Sequence, residues 1–244
     1  MVAKLLTNRI CLITGSSRGI GLAVARALAG YDATVTIHGR NVGLLDKCLA
    51  SLPDPSKHNH VVADLNVPEG PLTLVDGFLR LHARLDVLIH SAGILGPKSP
   101  LASYPEEAWN DVLRINLTAP FLITRELLPA LRKSENASVI FISSGVGRQG
   151  RAGWGAYAVS KFGVEGICQV WAEELEKEGI RVNAVNPGGT RTSMRAAAYP
   201  QEDPLSLPTP EQIASVFIWL ARPDTEITGE SLDARKWIGR DPAI

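Results

Sequence analysis

The chain has 244 residues, and its 25 Lys and Arg residues balance 25 Asp and Glu residues, so the formal net charge is zero. Hydrophobic residues make up 45% of the chain and charged residues 20%. This balance is typical of a folded globular protein and excludes a wholly disordered one. A neutral chain has no electrostatic preference for nucleic acid or an anionic membrane. The length fits a single domain over residues 1–244.

The cysteines and the start of the chain predict a cytoplasmic location. Cys11, Cys48 and Cys168 form no Cys-x-x-Cys pair, so we expect neither disulfide bonds nor a zinc site, as in a reducing compartment. The first residues are too few and too polar for a secretory signal. No apolar run approaches the ~20 residues of a membrane span. His58 and His60 are close in sequence, but no further ligand cluster accompanies them, so we expect no metal site.

The predicted elements, in chain order, alternate between short apolar strands and amphipathic helices. Strands are predicted at 10–14, 33–37, 60–63, 86–90, 138–143 and 180–185. Helices are predicted directly after the glycines at 15–21, then at 42–52, 72–83, 106–132 and 154–178, and from 209 to 221. Pro120 and Pro129 either kink or divide the helix at 106–132.

This alternation predicts an α/β fold with a doubly wound, mostly parallel sheet and helices on both faces, the three-layer α/β/α arrangement of a Rossmann fold. The segment 190–210 breaks the alternation, because it contains four prolines and charged residues. A loop of this length in a compact domain is usually functional or mobile. We therefore expect residues 190–208 to form a lid over a substrate site.

A glycine-rich turn stands between the first predicted strand and the first predicted helix. Gly15, Gly19 and Gly21 follow a Gly-x3-Gly-x-Gly spacing. Glycines let the backbone turn tightly and approach a pyrophosphate, and the N–H groups of the following helix favour an anion. Either this is a tight strand–helix turn without a ligand, or it is a dinucleotide site. Its place after the first strand favours the dinucleotide site.

The end of the second predicted strand indicates which dinucleotide is preferred. An acidic residue there binds the ribose hydroxyls of NAD, whereas a basic one accommodates the 2′-phosphate of NADP. The segment 37–41 contains Arg40 and no carboxylate. Arg40 and Arg18 together would form a cationic phosphate pocket, so NADP(H) is favoured over NAD(H).

A tyrosine and a lysine four residues apart suggest acid–base chemistry. Tyr157 and Lys161 share one face of the predicted helix at 154–178. A phenol has a pKa of about 10, and a nearby ammonium would lower it. The pattern alone usually marks an ordinary helix face. Ser143 and Ser144 support the functional interpretation, because they end the fifth strand at the sheet edge where ligands of open α/β sheets bind.

Together these residues resemble the short-chain dehydrogenase/reductase family of single-domain type, over nearly the whole chain. The sequence from Thr14 to Gly21 matches its cofactor loop, and Tyr157 and Lys161 match its Tyr-x-x-x-Lys motif. Ser144 stands thirteen residues before Tyr157, the usual family spacing, and is preferred to Ser143. Asn116 matches the helix asparagine of the family. The details of 189–204 look like a little-characterised bacterial branch.

The resemblance implies a set of site residues. Catalytic roles fall on Asn116, Ser144, Tyr157 and Lys161: Tyr157 transfers a proton, Lys161 lowers its pKa, Ser144 holds the carbonyl oxygen and Asn116 holds a water that supplies protons to Lys161. The implied cofactor contacts are Gly15, Ser17, Arg18, Gly19, Ile20, Gly21, Arg40, Asn41, Asp64, Leu65, Ala92, Gly93, Tyr157, Lys161, Pro187, Gly188, Thr190 and Thr192. The family commonly pairs subunits through the helix at 154–178, so a homodimer or homotetramer is expected.

The chain departs from the family pattern at two places. His90 and Ser91 stand where the family often has two asparagines, and the glycine pair that often follows the last strand is missing around 228–240. The second departure puts the usual tetramer contacts in question.

The expected activity is transfer of a hydride between NADP(H) and a small carbonyl or alcohol substrate, with ketone or aldehyde reduction favoured. One alternative is a dinucleotide-binding regulatory protein without turnover. Another is an isomerase or dehydratase, since a fold does not fix a function.

Overall fold

The structure is a computed structural model that describes residues 4–243. Its strands are β1 Ile10–Thr14, β2 Thr34–Gly39, β3 Asn59–Val62, β4 Val87–His90, β5 Ser138–Ile142, β6 Arg181–Asn186 and β7 Ser231–Asp233. Its α-helices are α1 Gly19–Gly30, α2 Val42–Ala50, α3 Gly70–Leu81, α4 Glu106–Leu113, α5 Ala119–Leu131, α6 Gly155–Leu175, α7 Ser193–Ala198 and α8 Ser215–Ala221.

The seven strands form one sheet in the order β3-β2-β1-β4-β5-β6-β7. Every neighbouring pair is parallel, for example Leu12 against Leu88. The sequence predicted a mostly parallel sheet, and in the described residues the sheet is entirely parallel. The strand order reverses between β1 and β4, and a ligand of a doubly wound sheet binds at the carboxyl end of such a reversal.

Two apolar cores cover the two faces of the sheet. One packs Val24 of α1, Leu45 of α2 and Phe217 of α8 against the strands, and the other packs Phe78 of α3 and Leu127 of α5, together with α6. Successive strand residues alternate between these cores because strand side chains point to opposite faces. This confirms the predicted three-layer Rossmann fold.

The predicted helix at 106–132 is divided into two helices, one of the two outcomes that its prolines left open. A turn of π-helix over Arg114–Thr118 separates α4 from α5. Pro120 has no N–H to donate to the carbonyl four residues earlier, at Asn116, so the regular bonding pattern cannot continue there. Pro129 lies inside α5 without ending it.

Smaller differences occur towards the end of the chain. β7 has only three residues and was absent from the predicted strands. The segment 190–210 is not a plain loop, because it contains α7 and a 3-10 turn at Pro204–Ser206. Thr209 does begin a helical region, but a 3-10 turn at Glu211–Ile213 precedes α8.

His38, at the end of β2, connects three segments around the glycine turn. Its Nδ1 accepts the Gly15 N–H at 3.1 Å, and its Nε2 contacts the Ala63 carbonyl at 3.1 Å. A backbone N–H requires an acceptor and a carbonyl requires a donor, so the pair of bonds needs the neutral ring protonated at Nε2. Burial lowers the pKa of His38 to about 4.

This contact predicts a pH dependence of stability. An unfolded histidine titrates near ~6.5, so below that pH the unfolded chain binds a proton that folded His38 rejects until the pH approaches about 4. His38 therefore lowers the free energy of unfolding by ~1.4 kcal/mol per pH unit as the pH falls through this window. In His38→Asn, urea unfolding between these pH values should show a correspondingly shallower loss.

His60→Asn, at a half-buried ring on β3, controls for the loss of an imidazole in itself. Parallel stability curves for the wild type and His38→Asn would show that this histidine is not held neutral.

Candidate active site

The carboxyl ends of the strands surround a cleft of about 380 Å³, a size typical of small-molecule sites. All eighteen residues predicted to contact a cofactor line it: Gly15, Ser17, Arg18, Gly19, Ile20, Gly21, Arg40, Asn41, Asp64, Leu65, Ala92, Gly93, Tyr157, Lys161, Pro187, Gly188, Thr190 and Thr192. Ser144 also lines the cleft, whereas Asn116 lies behind its wall.

The glycine turn lies directly against the segment after β4. Gly15 has φ +62°, and a Cβ there would lie 2.5 Å from the Ala92 Cα. A Cβ on Gly21 would lie 2.6 Å from the Gly15 carbonyl oxygen. Thr14 Oγ1 accepts the N–H groups of Ser91 and Ala92, each at 3.1 Å. These contacts leave no room for side chains and bring bare backbone to the cleft.

The first turn of α1 opens into the cleft. Arg18 precedes it in an extended conformation, and among the described residues no side chain caps the helix there. The N–H groups at a helix start lack partners within the helix and favour an anion. This bare backbone cradle fits the pyrophosphate of a dinucleotide.

Two arginines, Arg18 and Arg40, line the cleft. The Arg40 side chain is 65% exposed, and its Nη1 lies 3.7 Å from the carboxylate of Asp64, an ion pair that the sequence analysis did not predict. Arg18 is also exposed. The Asn41 side chain caps α2 by accepting the Leu44 N–H at 2.9 Å. This part of the cleft therefore presents cationic groups, partly balanced by Asp64.

Tyr157 and Lys161 share one face of α6, with the Lys161 Nζ 5.6 Å from the centre of the Tyr157 ring. Both side chains are buried. Burial raises the pKa of the Tyr157 phenol, and a hydrogen bond with Ser144 acts in the opposite direction. The sequence-based interpretation assigned a lowered Tyr157 pKa to Lys161. In this structure the effect of burial is the larger one, and the expected influence of Lys161 stays a prediction.

The Lys161 ammonium lies in the floor of the cleft. Its Nζ donates to the Ile142 carbonyl at 2.6 Å. Burial lowers the pKa of Lys161 to about 8, and the negative charge of Glu165 opposes that shift. At neutral pH Lys161 is therefore mostly charged, and it loses its proton at a pH only slightly higher.

Asn116 lies in the π-helical turn, and its side chain is fully engaged. Its Oδ1 accepts the Ile94 N–H and its Nδ2 donates to the Ile94 carbonyl, both at 2.9 Å. The same Nδ2 lies 3.1 Å from Ser160 Oγ. Asn116 therefore fixes the segment after β4 to α6. Its predicted role in proton supply stays a prediction.

The turn after β6 forms another wall of the cleft. Asn186 Oδ1 accepts the Gly188 N–H at 3.0 Å, and Thr190 Oγ1 donates to the Pro187 carbonyl at 3.1 Å. Thr192 Oγ1 caps α7 by accepting the Arg195 N–H at 3.1 Å. Hydrogen bonds within this turn therefore fix the conformation of the cofactor residues predicted there.

The space beside Tyr157 has an apolar wall. Its members come from the segment after β4, the start of α6 and α7: Ile94, Leu95, Trp154, Met194 and Ala198. The Trp154 ring lies 5.7 Å from the Tyr157 ring. Lys98 lies over the Trp154 and Tyr199 rings at 4.9 and 4.6 Å, and its Nζ donates to the Ala198 carbonyl. These contacts join the three segments around a substrate-sized space.

The sequence analysis missed two residues that support this cleft. His38 stands at the end of the second predicted strand, and the order of the elements indicates that this end lies near the glycine turn. Glu165 stands four residues after Lys161, a helical spacing that indicates a shared face. Its burial at 8% exposed could not be read from the spacing.

The two histidines weighed as metal ligands have other partners. His58 Nδ1 accepts the Val35 N–H, and His58 Nε2 contacts the Pro53 carbonyl. His60 faces Asp46. Within residues 4–243, no three His, Cys, Asp or Glu side chains gather in a way that could hold a metal ion.

Comparison with known proteins places this geometry in a family. A family model described as short chain dehydrogenase matches residues 9–203. The uncharacterised oxidoreductase YciK of Escherichia coli K12 is 43% identical over 98% of this chain and 96% of its own length. The 3-oxoacyl-(acyl-carrier-protein) reductase FabG of Thermotoga maritima is 35% identical, over 92% of this chain and 95% of that protein.

A solved structure gives the same result in three dimensions. A short chain dehydrogenase of Shigella flexneri complexed with NADP superposes with a TM-score of 0.90 at 43% identity, covering 95% of this chain and 99% of that one. Sequence, fold and the arrangement of the cleft agree with one another. The chain belongs to the short-chain dehydrogenase/reductase family and is a dinucleotide-dependent oxidoreductase.

Proposed function

We propose that the chain reduces ketones or aldehydes with NADPH. The observation that carries this proposal is the buried side chain of Tyr157, which shares a helix face with Lys161 and lines the apolar end of the cleft together with Ser144. A raised pKa keeps the proton on Tyr157 over the neutral range, which is the form that a carbonyl reduction requires. The solved Shigella relative holds NADP, and the relative FabG is named for the reduction of a 3-oxoacyl group. Both support the proposal.

The cradle between Gly15 and α1 fits a dinucleotide. Its glycines carry no side chains, and among the described residues no side chain caps the N–H groups at the start of α1. When bound, the nicotinamide supplies the two electrons of the reduction as a hydride equivalent. The cradle would hold the pyrophosphate, and Arg18 and Arg40 would hold the 2′-phosphate. The turn at 187–192 and the Lys161 side chain would hold the nicotinamide end.

The residues around the substrate space act on the carbonyl oxygen. Ser144 and the Tyr157 hydroxyl donate hydrogen bonds to it, which stabilises the negative charge that develops during reduction. Tyr157 then gives its proton to that oxygen. Lys161, when charged, stabilises the resulting phenolate. Trp154 and the other apolar wall residues exclude water from the reacting groups.

The segment 190–208 is proposed as the lid of this site. Arg195 and Glu202 form a paired contact of 2.5 and 2.6 Å, and the Arg191 guanidinium donates to the carbonyls of Pro204 and Leu207. These bonds tie the segment to itself. We expect it to move over the cleft as one body, with the bond from Lys98 to the Ala198 carbonyl breaking when it opens.

A homo-oligomer is proposed on the outer face of α5 and α6. Phe121, Val159, Phe162 and Val170 are exposed there at 37%, 40%, 46% and 55%. An exposed apolar surface of this kind is typical of a subunit interface.

Sedimentation equilibrium should give at least twice the chain mass for the wild type, and Phe162→Glu should lower it.

A cytoplasmic location is proposed on the cysteines, all three of which are free and buried thiols. In the described part of the chain no helix combines the length and the apolar character that crossing a membrane requires.

Tyr157→Phe removes the proton donor and keeps the ring. Reduction of a carbonyl compound selected from a panel of ketones, aldehydes and quinones should fall by roughly 10²–10⁴-fold, while the NADPH dissociation constant stays close to wild type. NADPH oxidation is followed by absorbance and binding by fluorescence. Tyr31→Phe, at the C-terminal end of α1 and outside the cleft lining, is the matched control. Near-normal turnover in Tyr157→Phe would remove this residue from the mechanism, and binding without any turnover in the wild type would favour the regulatory alternative.

Arg40→Ala tests the cofactor preference. An exposed charge-assisted hydrogen bond to the 2′-phosphate is worth enough that NADPH binding should weaken by roughly tenfold. NADH lacks that phosphate, so its binding should change little. Arg80→Ala, on the exposed side of α3, controls for the loss of one positive charge. An equal loss for both cofactors would contradict the assignment of Arg40.

A further inference from the structure

A carboxylate is buried beneath the Tyr157–Lys161 pair. Glu165 is 8% exposed and lies one helical turn after Lys161 on α6. Its Oε1 accepts hydrogen bonds from Ser143 Oγ and, at 2.8 Å, from Ser231 Oγ. Arg148 Nε lies 3.5 Å from the same oxygen. These three contacts hold the Glu165 carboxylate in one place.

The contacts continue from Glu165 to the turn that lines the cleft. Arg148 Nη1 pairs with Asp233 Oδ1 at 2.6 Å, and Asn186 Nδ2 donates to the same oxygen at 3.0 Å. The other end of the Asn186 amide accepts the Gly188 N–H. A continuous polar network therefore runs from the floor of the cleft through β7 to the turn after β6.

Lys161 needs a negative charge nearby. Its side chain is buried, and its one described hydrogen bond, to the Ile142 carbonyl, is to a neutral group. A buried ammonium without a counter-charge loses its proton. Around it, Tyr157 is a neutral phenol, and His90 on β4 is neutral because burial, and secondarily Lys161, lower its pKa to about 3.

The remaining charged groups form a small network, in which Asp233 lies 2.6 Å from Arg148 and 3.7 Å from Lys236. Arg148 is matched by Asp233 at 2.6 Å, which is closer than its 3.5 Å contact with Glu165. Burial raises the pKa of Cys168, the next inward-facing group on α6, to about 12, and Glu165 adds to that rise, so the thiol carries no charge.

Glu165 stands four residues after Lys161 on α6, and its carboxylate binds Ser143, the residue that follows the Ile142 carbonyl contacted by Lys161. This carboxylate is therefore placed to offset the charge of Lys161.

We propose that Glu165 is a positioning residue that holds Lys161 in its charged form and thereby sets the upper pH limit of the reaction. This inference rests on the proposed function of Tyr157 and Lys161. Glu165 touches neither the substrate space nor the phenol. It acts through Lys161, and the two serines hold its carboxylate in place.

Glu165→Gln is the direct test, because the amide keeps the size and the oxygen acceptor for the two serines and loses the charge. The titration of Lys161 is followed by NMR of the ¹⁵N-labelled side-chain amine, identified by its loss in Lys161→Met. The midpoint should move to lower pH by roughly one unit or more. The alkaline fall of kcat/KM for NADPH-dependent reduction should move by the same amount, with kcat on the acidic plateau retained.

Two control variants separate charge from packing. Ser231→Ala removes one hydrogen bond to the carboxylate and keeps its charge, so the Lys161 midpoint should stay near wild type. Glu174→Gln removes a charge on the exposed face of the same helix and should leave both the midpoint and the pH profile unchanged.

An unchanged Lys161 midpoint in Glu165→Gln would overturn the proposal, whatever happens to activity. If that variant does not fold, Arg148→Gln replaces it: removing the cation that competes for Glu165 should raise the midpoint, and an unchanged midpoint would equally overturn the proposal. The NMR titration needs no turnover. If the wild type reduces no carbonyl compound but the Lys161 midpoint still falls in Glu165→Gln, only the proposed function is refuted.

Discussion

The chemistry of the cleft depends on one interaction, the hydrogen bond that the buried Lys161 ammonium donates to the Ile142 carbonyl at the end of β5. Burial lowers the pKa of Lys161 to about 8, so the ammonium loses its proton more readily than an exposed lysine does. The surrounding structure keeps that charge available. In our proposal Glu165 offsets that charge, and burial raises the pKa of Tyr157, which keeps the proton that the proposed reduction consumes.

The parallel sheet brings these groups together. Because all strands point the same way, their carboxyl ends meet at one edge, and the strand order reverses there between β1 and β4. Gly15 packs so closely on Ala92 that only glycine fits, and His38 fixes its N–H. The dinucleotide end of the cleft is therefore built from backbone, whereas the reacting end is built from buried side chains.

Much of this arrangement could be predicted from the sequence, because it follows from local patterns. The strand–turn–helix at Gly15 and the helical spacing of Tyr157 and Lys161 each need only a few neighbouring residues. The prolines predicted a kinked or divided helix at 106–132, but they did not fix the place or the π-helical form of the break at Arg114–Thr118. Three-residue β7 has too short a pattern to be predicted. The Arg40–Asp64 pair, the two bonds of His38 and the burial of Glu165 depend on tertiary contacts between distant segments.

The most direct test of the account is a crystal structure of the protein with NADP⁺. We expect the adenosine phosphate to lie at Arg40, the pyrophosphate at the start of α1, and the nicotinamide ring beside the Tyr157 hydroxyl, with the Lys161 amine at its ribose. A dinucleotide bound outside this cleft, or a Tyr157 hydroxyl that faces away from the ring, would contradict it.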